Sequence, residues 1–166
     1  FGDLTAECGL AGTSIAPGAS AECTLTRFIA GNAGDEHQNT VTVVVADDEG
    51  NEVSDEDDET LPIVDATPDV VVSKSASVAR VDEPGADVEF TFVIENRSVE
   101  SVTLIGLVDS VFGDIAAECG VDGVVVVAGG SVQCSITRFV GGDAGDVHAN
   151  TVTVTAQDDE GNEASD

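Results

Sequence analysis

Residues Phe1 to Asp55 align without gaps on Phe112 to Asp166, at an offset of 111 and with 32 of 55 positions identical. Identity that dense makes the chain a tandem repeat, so its fold must be one that a polypeptide can adopt once per period. FGDLTAECG returns as FGDIAAECG, CTLTRF as CSITRF, and GNAGDEHQNTVTV as GDAGDVHANTVTV. Glu56 to Val111 completes one period. Residues 1–65 are therefore expected to be the C-terminal half of one repeat, and 66–166 a second repeat lacking most of its last strand. The chain then reads as a window onto a longer array, with any export signal outside it; the alternative is that neighbouring chains supply the missing strands.

Within each period the apolar residues alternate with polar ones, the mark of half-buried strands. Thr13 to Ile15 is a short candidate, followed by Ala21 to Arg27, where Ala21, Cys23 and Leu25 share one face. Asn39 to Val45 places Val41, Val43 and Val45 together. Past the linker Asp65 to Asp69, Val70 to Ala76 opens the next unit and Glu83-Pro84-Gly85 marks a turn. Asp87 to Glu95 carries the clearest pattern, with Val88, Phe90, Phe92 and Ile94 on one side and acids or Thr on the other. Val102 to Val108 follows. About seven short strands per period, and no helix beyond a turn at Asp3 to Glu7, predict an all-β fold of tandem immunoglobulin-like β-sandwich repeats.

Asp47 to Glu59, DDEGNEVSDEDDE, packs nine carboxylates into thirteen residues, and DDEGNEASD at Asp158 to Asp166 repeats its start. Like charges at strand spacing repel by roughly 0.6 kcal/mol per pair at about 7 Å in water, so the cluster needs full solvation or cations. Glu49-Gly50-Asn51 supplies a hairpin tip, since Gly and Asn tolerate positive φ. On the returning strand Val53, Asp55, Asp57, Glu59, Leu61 and Ile63 share one parity. Burying ionised groups beside apolar ones is prohibitive, which predicts either a bulge near Asp58 or a loop that extends to it.

The net charge of −28, from 33 acids against five Lys and Arg, excludes a nucleic-acid binder, because such affinity comes from cations neutralising phosphate. Anionic membranes are repelled likewise, and no apolar run is long enough to insert. Cys8 and Cys23, then Cys119 and Cys134, are fifteen apart in each copy, which reads as one disulfide per repeat. Closing a loop of that size contributes roughly 3 kcal/mol in the chain-entropy model and fits an extracellular or cell-surface setting.

Calcium prefers six to eight oxygen ligands, and an oxygen-only, carboxylate-dense chain suits it. Candidate ligands are Asp47, Asp48, Glu49, Asp55 and Asp57 on the first acidic hairpin. Others are Asp35, Glu36, Asp65 and Asp69 around the linker, and Asp158, Asp159 and Glu160 on the following hairpin. Ligands drawn from two units and their linker would fix the angle between them. The spacing is not that of an EF-hand, as Gly50 comes too early. The competing reading is a halophile-type acidic surface without specific metal sites.

Other residues carry weaker signals. Arg27 and Arg138 neutralise nearby acids, and His37 and His148 have structural loop roles. Lys74, the only lysine, sits on a first strand, where it could form an isopeptide with an Asn, but the sequence alone places no partner. Asn96-Arg97-Ser98 is a glycosylation sequon.

TPDVVVSKSAS, VEFTFVIENRS, GGSVQCSITRF and NTVTV followed by DDEGNE together resemble the tandem Ig-like repeats of large prokaryotic surface proteins, including the group catalogued as domain of unknown function number eleven. The resemblance implies a stalk, adhesin or extracellular filament built from neighbouring copies of the same repeat or subunit, and not an enzyme. It leaves open a surface or matrix target. A carbohydrate-binding sandwich is the alternative, disfavoured because the chain has no Trp or Tyr and only six Phe to stack on sugars.

Overall fold

A computed structural model describes all 166 residues and separates them into two units, Phe1–Ile63 and Val64–Asp166. The chain is all-β and antiparallel, with one helical turn.

The second unit is built around β4 (Gly85–Asn96), whose period-two pattern turns Val88, Phe90, Phe92 and Ile94 inward, each 5% exposed or less. β3 (Val70–Ala76) and β8 (Ser131–Gly141) flank it to form a three-stranded sheet. A second sheet runs β10 (Glu163–Ser165), β9 (Val152–Gln157), β5 (Val102–Asp109) and β6 (Gly113–Asp114), and β7 (Val125–Val126) also pairs with β5. Both sheets feed one core: Ile136 of β8 and the β4 residues meet Leu104 and Leu107 of β5, and Val154 and Ala156 of β9. The β5–β9 register shifts between Leu104 and Gly106. α1 (Ala116–Cys119) is a single turn that stops at Gly120, whose φ of 65° favours glycine. The Asp114 carboxylate accepts the Ala116 N–H at 3.0 Å, and Asp3 accepts that of Thr5 at 2.9 Å in the first unit's copy of the turn.

In the first unit the same sequence takes a different form. Its only sheet is the hairpin of β1 (Glu36–Ala46) and β2 (Glu52–Pro62). The strands expected at Thr13 to Ile15 and Ala21 to Arg27 do not form. In the second unit the copy of Ala21 to Arg27 is β8, which pairs with β4, and β9, the copy of the Asn39 region, pairs with β5. Residues 1–63 contain no copies of β3, β4 or β5, so these backbone donors and acceptors lack ladder partners and the apolar faces lack a lid. Val43 is 54% exposed, whereas Val154 at the same repeat position is 0% exposed.

This also removes the expected irregularity near Asp58. β2 pairs with β1 in unbroken register from Ala46↔Glu52 to Glu36↔Pro62, with Thr40 opposite Asp58. No bulge is needed because neither face of the hairpin is buried, so Asp55, Asp57 and Glu59 share a face with Val53 and Leu61 in water.

Both cysteine pairs are disulfides, with Cα separations of 5.4 Å for Cys8–Cys23 and 5.3 Å for Cys119–Cys134. Beside each lies the same ion pair, Arg27 with Glu7 and Arg138 with Glu118, at 2.5 Å. These arginines do neutralise nearby acids. The pairs lie in solvent, which screens them, so each adds little to stability.

Because Val43 and Val154 differ only in context, truncating them separates the two environments. Urea unfolding followed by circular dichroism is expected to show Val154→Ala lowering the stability of the main transition by about 2–3 kcal/mol, from lost transfer energy and the cavity left behind. Val43→Ala is expected to change it by less than about 0.5 kcal/mol.

Candidate functional site

The acidic hairpin tips are turn-builders before they are anything else. In the first unit Asp47 Oδ1 accepts the N–H groups of Glu49 and Asn51 at 3.1 and 2.7 Å, and its Oδ2 accepts the Asn51 side-chain amide at 2.8 Å. Gly50, at φ 85°, lets the chain reverse. The copy is close: Asp158 accepts the Asn162 backbone N–H at 2.7 Å and its side chain at 3.0 Å, with Gly161 at φ 95°. The Asn51 side chain, then the backbone N–H groups, hold the Asp47 carboxyl below the usual aspartate range. For Asp158, burial pushes upward, but the Asn162 side chain and the tip's N–H groups outweigh it and the net shift is downward.

Asp48 and Glu49 stand exposed at the first tip, while Asp55 and Asp57 lie exposed along β2 opposite Val43 and Val41. Asp35, in the first unit, accepts the Asn32 N–H at 2.9 Å, and Glu36 begins β1 opposite Pro62. Asp69 is engaged through its backbone, its carbonyl accepting from Arg97 at 2.8 Å. Asp159 is exposed.

Two of the candidate ligands are brought together. One carboxylate oxygen each from Asp65, Glu160 and Glu100 lie within 4.8 Å of one another. Asn162 joins this group to the tip, donating its side-chain N–H to Asp65 Oδ2 at 2.8 Å as well as to Asp158. Three anions at that spacing repel by about 1 kcal/mol per pair in water. A hard divalent cation would reverse the sign, and oxygen-only ligands suit calcium. Glu100 was not singled out from the sequence. It lies in the β4–β5 turn, and strand alternation places that turn at the same end as the β9–β10 tip. Counting strand reversals would have found it.

A second polar constellation is buried. Asp109 ends β5 with its side chain 0% exposed and forms an ion pair with Lys74 of β3, itself 13% exposed. Asp109 Oδ1 also accepts the N–H groups of Val111 and Phe112 at 2.9 and 3.1 Å. The side-chain amide of Asn150, just before β9, lies 3.0 and 3.1 Å from the two carboxylate oxygens. Burial would raise the Asp109 carboxyl, but the Lys74 contact and the two backbone donors hold it below its ordinary value. The lysine nitrogen is 4.9 Å from the centre of the Phe90 ring and 5.4 Å from those of Phe92 and Phe112. His148 stacks on Phe112 with centroids 5.9 Å apart, a packing role. The sequence located Lys74 but not its partners, because an Asp closing an apolar strand and an Asn opening another look like ordinary strand ends.

The sequon asparagine is also inside. Asn96 is 2% exposed, and its amide nitrogen donates to the carbonyls of Glu100 and Val126 at 2.7 and 2.9 Å. The folded unit therefore does not present this nitrogen for glycosylation.

The depressed Asp158 carboxyl has a checkable sign. Its contribution to the tip is complete above the ordinary aspartate value of 3.8 and is lost as pH falls through the lower folded-state value. In an NMR titration the Asn162 amide resonances are expected to move with a midpoint below 3.8. A midpoint at or above 3.8 would contradict the arrangement.

No helix is long and apolar enough to cross a membrane. No protein-family model, curated protein or solved structure matches the chain.

Proposed function

We propose that the chain is a structural repeat segment of an extracellular or cell-surface stalk, adhesin or filament, made of Ig-like sandwiches and stiffened by calcium. The observation that carries this reading is that the duplicated features are braces. The disulfide, the Arg–Glu ion pair beside it and the Asx-braced acidic tip all recur at an offset of 111 residues. A load-bearing array needs such elements once per unit. The two disulfides fit an oxidising compartment. The partners in this reading are neighbouring copies of the same repeat or subunit, and no enzymatic role is assigned.

Calcium enters at Asp65, Glu100 and Glu160, whose carboxylates converge where the linker meets the second unit. Carbonyls and waters would complete its shell. The competing reading, an acidic surface adapted to salt without a specific site, draws on the eleven exposed residues of β2, six of them acidic.

Calorimetric melting at fixed ionic strength distinguishes the two. With calcium at a hundredfold excess over its dissociation constant, linkage gives about 2.7 kcal/mol, which raises the melting temperature of a unit this size by about 10 °C. Glu100→Gln is expected to abolish most of that rise while leaving the melting temperature in chelator unchanged or higher. An identical melting temperature with calcium and with chelator would remove calcium from the account.

A further inference from the structure

The buried Lys74, Asp109 and Asn150 do more than pair charges. We propose that they form an autocatalytic cross-linking site, in which Lys74 Nζ and Asn150 Cγ become joined by an isopeptide bond with Asp109 as the proton carrier.

Three observations support it. First, nucleophile and acceptor are held by one group: Asp109 Oδ2 receives both the Lys74 ammonium and, at 3.1 Å, the Asn150 amide. Reactants held in reacting geometry gain effective concentrations on the order of 10⁵ M or more, and a shared partner is what can hold these two. Second, the site is dry. The Asp109 side chain is fully buried, and the rings of Phe90, Phe92 and Phe112 lie within 5.4 Å of Nζ. Nζ and the Asp109 carboxylate are in direct hydrogen-bond contact there, so a proton can pass between them without crossing water. Third, the chain has a single lysine among 33 acids, and it is set against the one carboxylate that also holds the Asn150 amide.

The step balances without a cofactor. Asp109 takes a proton from the Lys74 ammonium. The freed amine attacks Asn150 Cγ, and the carbonyl electron pair moves onto oxygen. A proton then passes from Nζ through Asp109 to Nδ2, the Cγ–Nδ2 bond breaks as the carbonyl re-forms, and ammonia leaves, picking up the remaining proton. Ammonium and carboxamide become a secondary amide and an ammonium ion, with no oxidant or reductant. The bond ties β3 of one sheet to the segment entering β9 of the other. It stands apart from the calcium reading and holds or fails without it.

Intact mass spectrometry of the reduced, alkylated full chain tests this directly. The chain is expected to weigh one ammonia less than its sequence, and tandem spectra are expected to show the Lys74 peptide joined to the Asn150 peptide. Lys74→Arg keeps a cation beside Asp109 but offers no competent amine, so it is expected to fold and to retain full mass, as is Asn150→Ala. Asp109→Asn is expected to remain unlinked, with Asp109→Glu restoring the link. A wild-type chain of full mass overturns the proposal. So does an ammonia loss that persists in Lys74→Arg, and a linked Asp109→Asn chain removes the proton-carrier role.

Discussion

Strand pairing by β4 and β5 is the constraint on which the rest of the second unit depends. β4 satisfies the backbone of β3 on one side and β8 on the other, and β5 does the same for β9. Only with both in place do Leu104, Leu107, Ile136 and Val154 have an apolar space to enter. The two copies of the repeated segment show the dependence. A sequence that is 32 of 55 positions identical makes β8, β9 and a core in one unit, and a solvent-facing hairpin preceded by irregular chain in the other. Alternating apolar residues define a strand's faces, but whether the strand forms is decided by what lies beside it.

What was legible in the sequence followed from that division. The strands of the second unit were found close to their observed bounds, because Val88, Phe90, Phe92 and Ile94 alternate without interruption. The cysteine pairing was legible because each copy offers two cysteines at one spacing. Thr13 to Ile15 and Ala21 to Arg27 were read as strands from pattern alone, and pattern carries no information about a missing neighbour. The irregularity expected near Asp58 failed for the same reason. Its premise was a buried face, and the β1–β2 hairpin has none.

The polar residues divide by what surrounds them. Asp47 and Asp158 read as metal ligands by their charge, and in the structure their oxygens accept from Asn51 and Asn162 and close a turn. Asp65 and Glu160 meet Glu100, which belongs to a turn that lies 60 residues from Glu160 in sequence. Asp109 and Asn150 gave no signal as a pair, since 41 residues separate them and only the β5–β9 pairing brings them together. Sites assembled by sheet topology are invisible to local spacing. They become legible once strand order is known.

The most direct test asks whether the first copy becomes a sandwich half when given its neighbours. A chain in which residues 56–111 are placed ahead of Phe1 supplies those strands, and hydrogen exchange followed by mass spectrometry reads the result. Ala21 to Arg27 and Asn39 to Val45 are expected to change from fast exchange to the slow exchange of β8 and β9. Continued fast exchange in these two segments would contradict the view that pairing with β4 and β5 is what makes them strands.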